Sequence, residues 1–273
     1  MFSGGQTNGT AKVLYKGTKF VEIKRPDIDA FAAQLDLINS YAALRWDRGA
    51  EIYSQLGAPT AFYSTISFLH PTRTPRTLEL LNLALGLASF IELPLKHMIA
   101  ALRPIDFSPQ IQPMIATPRH GALPSGHATE AFIFATVLDA VLKASGSAVV
   151  AGAPTEEQLY RQATRIAVNR TVAGVHFPVD SIAGAMLGRA LGRYLVARGK
   201  GGSLGSYVFK MTAQTPAVTL DFDQAKLLAT TGGTADPTFP VTVDTSAPIS
   251  ITTQANSALK WLWDEAVKEW QSA

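Results

Sequence analysis

Residues 123–145 read LPSGHATEAFIFATVLDAVLKAS, a Pro-Ser-Gly-His tetrad inside an otherwise apolar stretch. The apolar run predicts a buried helix over 127–144, which Gly146 ends. Ser125 and Gly126 would then lie at the helix N-terminus, where free backbone N–H groups and the helix dipole favour an anion. Because Ser125 is also a common N-cap residue, this stretch alone does not separate a cap from a binding site.

Two cations precede this helix in another apolar stretch. Lys96 and Arg103 lie seven residues apart, which places them on nearly the same face of one helix, and Pro104 is expected to end that helix. Pro94 is expected to kink or restart it. Taken alone, the two cations fit surface charges. Taken together, the two side chains would bind one small anion from positions two helical turns apart.

Residues 169–188, NRTVAGVHFPVDSIAGAMLG, contain a third polar group. Arg170 and His176 would point apart on one continuous helix, but Gly174 predicts a helix end between them. A new helix from about His176 would turn both side chains toward one point. Asp180 follows His176 by four residues and is placed to accept a hydrogen bond from the imidazole. A purely structural His-Asp pair would leave Arg170 unexplained.

The ordered set Lys-x6-Arg-Pro, Pro-Ser-Gly-His and Arg-x5-His-x3-Asp resembles a known superfamily. Its members are type 2 phosphatidic acid phosphatases (PAP2), bacterial nonspecific acid phosphatases and vanadium-dependent haloperoxidases. The resemblance covers Lys96 to about Gly188, roughly a third of the chain. Asn169 departs from the pattern, since the family often has Ser before the Arg. The sequence therefore does not predict one hydrogen bond behind the pocket, although the pocket itself is still expected.

The resemblance implies a role for each residue of the set. Phosphate or vanadate would be bound by Lys96, Arg103, Ser125, Gly126, Arg170 and His176. His127 would be the acid/base catalyst. His176 would be the nucleophile of a phosphatase or the axial ligand of vanadium in a haloperoxidase, with Asp180 orienting it. Vanadate would be the cofactor of a haloperoxidase, and a phosphatase would need none. Asp47 and Asp106 are unranked candidates to support His127.

Three functions stay open at this point. His120 lies seven residues before His127, where related haloperoxidases have a residue that tunes halide oxidation, and His there resembles the bromide enzymes. This favours a soluble vanadate-dependent haloperoxidase that oxidises halide, bromide first, with hydrogen peroxide. Only 21 residues separate Arg103 from Ser125, which is closer to small acid phosphatases. The alternative is therefore a soluble acid phosphatase or diphosphatase with a phosphohistidine intermediate, and a non-catalytic phosphate-binding assembly module ranks third.

Composition narrows the classes of partner. The 273-residue chain has no cysteine, a net charge of +3 and 16% charged residues. The absence of cysteine excludes disulfides, thiolate metal sites and cysteine nucleophiles, and the scattered Lys and Arg disfavour nucleic acid. Charges interrupt every long apolar stretch, so we expect no integral membrane association.

We therefore expect a soluble homo-oligomer with small-molecule substrates, either halide and peroxide or a phosphate ester. The first twenty residues lack the pattern of a signal peptide, which favours the cytoplasm over the periplasm or secretion.

The expected fold class is all-α, a compact helical bundle of the PAP2/haloperoxidase type with short β or loop-rich extensions at both ends. Residues 1–28 would form an N-terminal arm, in which residues 11–24 fit either a small hairpin at Lys16-Gly17 or an extended segment. Residues 29–200 would form the helical catalytic domain. Residues 201–273 would form a loop-rich extension that ends in an amphipathic helix packed on the body or on a subunit partner.

Overall fold

The computed structural model describes residues 2–5, 9–147, 153–230 and 236–271. Its helices are α1 (Ile28–Ala32), α2 (Leu35–Tyr41), α3 (Arg45–Ser54), α4 (Thr60–Ser67), α5 (Pro75–Ile99), α6 (Pro104–Phe107), α7 (Gly126–Ser145), α8 (Ala153–Val172), α9 (Pro178–Lys200), α10 (Gln224–Ala229) and α11 (Ala258–Gln271). Its strands are β1 (Phe2–Gly5), β2 (Thr10–Tyr15), β3 (Thr18–Lys24), β4 (Gly202–Phe209) and β5 (Val241–Ile251).

Helices α7 and α9 form the centre of the bundle, and glycine lets them pack closely. Gly184, Gly188 and Gly192 recur every four residues along α9, so they line one face of it. A Cβ added at Gly184 would overlap the carbonyl oxygen of Ser125, and one added at Gly188 would overlap that of Thr129. The two backbones are therefore in direct contact, and this contact fixes the start of α7 against α9.

Helices α5 and α11 pack around this centre. Helix α5 contains Pro94 and continues unbroken to Ile99, so the predicted restart does not occur. Helix α11 is amphipathic as predicted, and it packs on α5, α7 and α9. Its buried Trp270 donates from Nε1 to Oγ1 of Thr77 on α5 at 2.9 Å. The C-terminal helix therefore completes the core of the same chain.

The prediction of an all-α class is wrong, because the two ends of the chain form one five-stranded mixed sheet. Strands β1 to β3 are an antiparallel meander. Lys16 and Gly17 form the predicted two-residue turn, with φ of 49° and 85°. Strand β3 then pairs in parallel with β4, where Val21 is opposite Tyr207. The sequence did not indicate this pairing because the whole helical bundle separates the two strands along the chain.

Strand β5 explains why the C-terminal extension looked loop-rich. It spans eleven residues and pairs antiparallel with β4, but the side chains from Asp244 to Pro248 are exposed. A strand with so few buried side chains lacks the apolar alternation by which strands are predicted. Its order comes from hydrogen bonds to β4, which packs against α9.

One helical stretch of the described residues, Pro75–Phe107, is long and apolar enough to cross a membrane. Its most apolar 18-residue window has a mean hydropathy of 1.6 and is 33% buried. Leu83, Phe90 and Leu93 lie exposed on this stretch. Core helices of water-soluble proteins satisfy the same criterion of length and composition. The expectation of a soluble chain therefore stays a prediction.

Substituting Gly188→Ala tests the contact between α7 and α9. We expect the free energy of unfolding to fall by about 1–3 kcal/mol, because the new methyl group overlaps backbone that cannot move aside. The matched control is Gly86→Ala on α5, where an added Cβ meets nothing within 4 Å. That change should raise stability by up to about 1 kcal/mol, since Ala is the better helix former. Equal urea midpoints for the two variants would contradict the close packing.

Candidate active site

A cavity of about 410 Å³ opens at the N-terminal end of α7. Seven residues of the predicted site line it: Lys96, Arg103, His120, Gly126, His127, Arg170 and His176. The two other predicted residues lie directly behind this lining. Ser125 precedes Gly126 and is fully buried, and Asp180 is fully buried against His176. The structure therefore brings all three separated sequence groups together at one place.

The start of α7 provides donors for an anion. Ser125 occupies the N-cap position, but its side chain makes no capping hydrogen bond. Its Oγ is buried and has no hydrogen-bond partner among the described residues. The backbone N–H of Ser125 donates to the carbonyl oxygen of Asp180 at 2.9 Å, which joins the start of α7 to α9. The simple reading of Ser125 as a helix cap is therefore not what the structure shows.

Lys96 and Arg103 line the cavity, but the predicted single helix is wrong. Helix α5 ends at Ile99, and Ala100 turns the chain with a φ of 49°. Arg103 is extended and precedes α6, so Pro104 begins a helix instead of ending one. A left-handed residue is not visible in the apolar pattern, and this is why the spacing of seven suggested one helix.

Burial changes the electrostatics of both cations. Lys96 is 1% exposed, and its Nζ donates to the carbonyl oxygen of Pro124 at 2.5 Å. Burial lowers the pKa of Lys96 to about 8, against the attraction of nearby Glu92. Arg103 donates to the carbonyl oxygens of His120 (3.2 Å) and Val175 (3.0 Å). These bonds hold the guanidinium in place at the cavity wall.

His120 lies beside Arg103, with 3.3 Å between its Nδ1 and Nη2 of the arginine. Burial lowers the pKa of His120, and the neighbouring cations lower it further. His120, which was expected to tune halide chemistry, is thus an uncharged residue of the cavity lining near neutral pH.

Arg170 on α8 is fully buried and points its guanidinium at the cavity. Its Nη2 donates to Oε1 of Gln55 at 2.9 Å, while Nε and Nη1 have no partner among the described residues. Burial lowers the pKa of Arg170 to about 10, so the group stays charged at neutral pH. Asn169 donates to the same Gln55 oxygen at 3.0 Å and to Glu51 at 2.9 Å. Asn169 therefore helps to position the amide that holds Arg170.

His176 and Asp180 form the predicted pair. Nδ1 of His176 lies 3.2 Å from Oδ2 of Asp180, and the backbone N–H of Phe177 donates to the same oxygen at 2.9 Å. The carboxylate therefore accepts both bonds, and Nδ1 of the imidazole bears the proton. Burial raises the pKa of Asp180 to about 7. Burial also lowers the pKa of His176 well below its ordinary value, with further lowering by Lys96 and Arg103. A neutral His176 with a free Nε2 lone pair results.

His127 lies in the first turn of α7. Burial lowers its pKa to about 4, and repulsion from Arg170 and Lys96 adds to the effect. Within the described chain, the partner of its ring is the backbone carbonyl of Gln55, not Asp47 or Asp106. Asp106 instead accepts from the backbone N–H of Arg103 at 2.8 Å at the start of α6. A backbone oxygen therefore takes the place that the sequence suggested for a carboxylate.

Two acidic residues of the cavity, Glu92 and Glu130, were missed by the sequence analysis. Glu92 lies one turn before Lys96 on α5, and Glu130 lies one turn after His127 on α7. Burial raises the pKa of Glu92 to about 7 and also raises that of Glu130. The sequence did contain a signal for both residues, because each is a charged residue in an apolar helix, one turn from a predicted site residue.

The comparisons with known proteins agree with this arrangement. Residues 78–200 match the family model of the PAP2 superfamily, and this segment contains every cavity cation and both catalytic histidine candidates. No curated protein matches the chain. Residues 78–200 of the chain therefore belong to the PAP2 superfamily, which is associated with phosphatase or haloperoxidase-type chemistry on oxyanions.

Proposed function

We propose that this chain is a phosphatase that hydrolyses phosphate monoesters, with His176 as nucleophile and His127 as acid/base. The main support is a set of buried donors that lack partners among the described residues: Ser125 Oγ and the Nε and Nη1 atoms of Arg170. Leaving such donors unpaired is unfavourable, and a tetrahedral oxyanion would satisfy them together. Lys96 and Arg103 would neutralise its remaining charge.

The first step transfers the phosphoryl group to the protein. The Nε2 lone pair of His176 attacks phosphorus, a P–N bond forms, and the ester P–O bond breaks. Asp180 orients the ring and stabilises the positive imidazole that results. The leaving alkoxide takes a proton from His127. The three cations stabilise the negative charge on the equatorial oxygens in the transition state.

The second step releases phosphate. A water molecule gives one proton to His127 and attacks phosphorus, and the P–N bond breaks with its electron pair returning to Nε2 of His176. His127 is protonated again and ready for another ester. The low pKa of His127 comes from burial and from repulsion by cations. A bound phosphate dianion opposes that repulsion, so substrate binding raises the pKa of His127 toward the working range.

Glu92 and Glu130 favour this function over halide oxidation. Two carboxylates beside the cavity repel a halide ion, whereas a phosphate ester keeps its anionic end at Lys96, Arg103 and Arg170 and can place an uncharged or cationic end near the acids. We therefore rank the phosphatase ahead of the haloperoxidase, which is the reverse of the order that His120 favoured in the sequence.

A vanadate-dependent haloperoxidase is the second candidate, and the contact between His120 and Arg103 favours it. The donors that fit phosphate also fit vanadate, so Lys96, Arg103, Ser125, Gly126, Arg170 and His176 would hold vanadate. When bound, vanadate supplies the activation of peroxide for halide oxidation.

Substituting His176→Ala is expected to lower hydrolysis of p-nitrophenyl phosphate by about a thousandfold or more, because the nucleophile is removed. Inorganic phosphate should still bind in calorimetry, since the three cations are unchanged. The control is His70→Ala, which removes an exposed histidine before α5. Hydrolysis that survives in the His176 variant would exclude the phosphohistidine route.

Substituting Arg170→Lys is expected to lower kcat/KM by about a hundredfold or more, although the charge is kept. A lysine cannot offer the fork of donors that grips two oxygens, and it also loses the bond to Gln55. The control is Arg161→Lys, on the exposed side of the same helix, which should change kcat/KM little. Equal kinetics for both variants would argue against an oxyanion held by Arg170.

One paired assay ranks the two functions. We expect ester hydrolysis by the vanadate-free protein, and we expect vanadate to inhibit it in competition with phosphate. Bromination by the vanadate-loaded protein with peroxide should be slow, because the two carboxylates repel bromide in their ionised form. Fast bromination that falls in His120→Ala, together with no ester hydrolysis, would make the chain a haloperoxidase.

A further inference from the structure

The active-site cavity has an acidic edge, formed by Glu92 and Glu130, beside its three cations. Glu92 is 7% exposed, and its Oε2 has no hydrogen-bond partner among the described residues. Glu130 accepts only a long hydrogen bond, 3.5 Å, from Oγ of Ser89 within the described chain. Neither carboxylate lies within ion-pair distance of a Lys, Arg or His side chain in that part of the protein. At a ligand cavity, the described part of the protein therefore leaves the buried carboxylate of Glu92 and the partly buried one of Glu130 without an ion-pair partner.

Such an arrangement is unfavourable in the empty protein. Burial removes the hydration of both carboxylates and raises the pKa values of Glu92 and Glu130, against the attraction of Lys96. Repulsion from Glu130 adds to the rise for Glu92. Neither Glu92 nor Glu130 has a role in the proposed reaction, since His127 is the acid/base catalyst. A cation from the ligand would offset both the lost hydration and the repulsion.

The spacing relates this edge to the phosphate site. Glu92 precedes Lys96 by one helical turn, about 5.4 Å along α5. Its carboxylate also lies against Gly126, where an added Cβ would approach Oε1 to 2.6 Å. A positive group bound by Glu92 would therefore lie close to a phosphate bound at the Gly126 amide.

We propose that the substrate is a phosphate monoester of a short amino alcohol, with its protonated amine bound by Glu92 and Glu130. This inference rests on the proposed phosphatase function. Four single bonds join phosphorus to nitrogen when two carbons separate ester oxygen and amine, and at about 1.5 Å each they keep the ammonium close to the phosphate, as the contact between Glu92 and Gly126 requires. The cavity then matches a zwitterion, with its anion at Lys96, Arg103 and Arg170 and its ammonium at the acidic edge.

An ammonium group fits the edge better than a divalent cation does. Mg²⁺ and Ca²⁺ require six or more oxygen ligands, whereas an ammonium group is satisfied by two or three acceptors. The described residues contain no group of three or more His, Asp or Glu side chains able to hold a metal. Two carboxylates and a phosphate oxygen are the acceptor set that a primary amine needs.

Calorimetry with phosphonates tests this without turnover, because their P–C bond is not hydrolysed. The probes are aminopropylphosphonate, which has the length of the proposed ester, and butylphosphonate, which replaces the ammonium by a methyl group. We expect the wild-type protein, in EDTA, to bind the amine at least about tenfold more tightly. Glu92→Gln and Glu130→Gln should each remove most of that preference. Butylphosphonate should bind both variants more tightly than wild type, since a repelling charge is gone.

The matched control is Glu79→Gln, which removes an exposed carboxylate from the same helix as Glu92 and should keep the full preference. Equal binding of both probes by the wild-type protein would overturn the proposal. So would Mg²⁺-dependent binding of butylphosphonate, which would assign the acids to a metal. Amine-selective binding with no hydrolysis of any phosphate ester would support the binding site while rejecting the phosphatase function, so the two failures are distinguishable.

Discussion

The close contact between α7 and α9 is the constraint on which the site depends. The backbone carbonyl oxygens of Ser125 and Thr129 lie where side chains at Gly184 and Gly188 would be, so the two helices meet backbone to backbone. The bond from the Ser125 N–H to the Asp180 carbonyl oxygen joins their starts. Since His127 follows one of these points and His176 precedes the other, the packing of small residues brings both catalytic histidine candidates to one cavity.

The second determinant is the low dielectric around the cations. Burial works against the charge of Lys96, Arg103 and Arg170, yet each is held by oxygen acceptors from elsewhere in the chain. Burial lowers the pKa of His176, and the combined field of the cations lowers it further and makes an anion the favourable occupant. The acids Glu92 and Glu130 limit that field on one side. The cavity therefore has cations on one side and carboxylates on another.

The sheet lies outside the segment that matches the PAP2 superfamily model, residues 78–200. Its strands come from both sides of that segment and meet through the parallel pairing of β3 with β4. The aromatic residues Phe20 and Tyr207 pack edge to face across this pairing, with ring centroids 5.9 Å apart. The extensions therefore cooperate in one structure on α9, which neither end could form alone because a short meander has few partners for its apolar side chains.

The sequence by itself determined which cations and histidines of the site lie together. Lys96, Arg103, Gly126, His127, Arg170 and His176 were all expected at one cavity, and they line it. The end of α8 before Gly174, the pairing of His176 with Asp180 and the hairpin at Lys16-Gly17 were predicted correctly as well, since each depends on neighbours close in the chain.

Only the tertiary structure decided the rest, because it depends on contacts between residues far apart in the sequence. The turn at Ala100 separates Lys96 from Arg103, the Gln55 amide and carbonyl position Arg170 and His127, and strands from the two ends pair into a sheet. The sequence analysis likewise did not predict that Glu92 and Glu130 form an acidic edge of the cavity. A glutamate on an apolar helix is unremarkable until packing removes its water and leaves it without a partner.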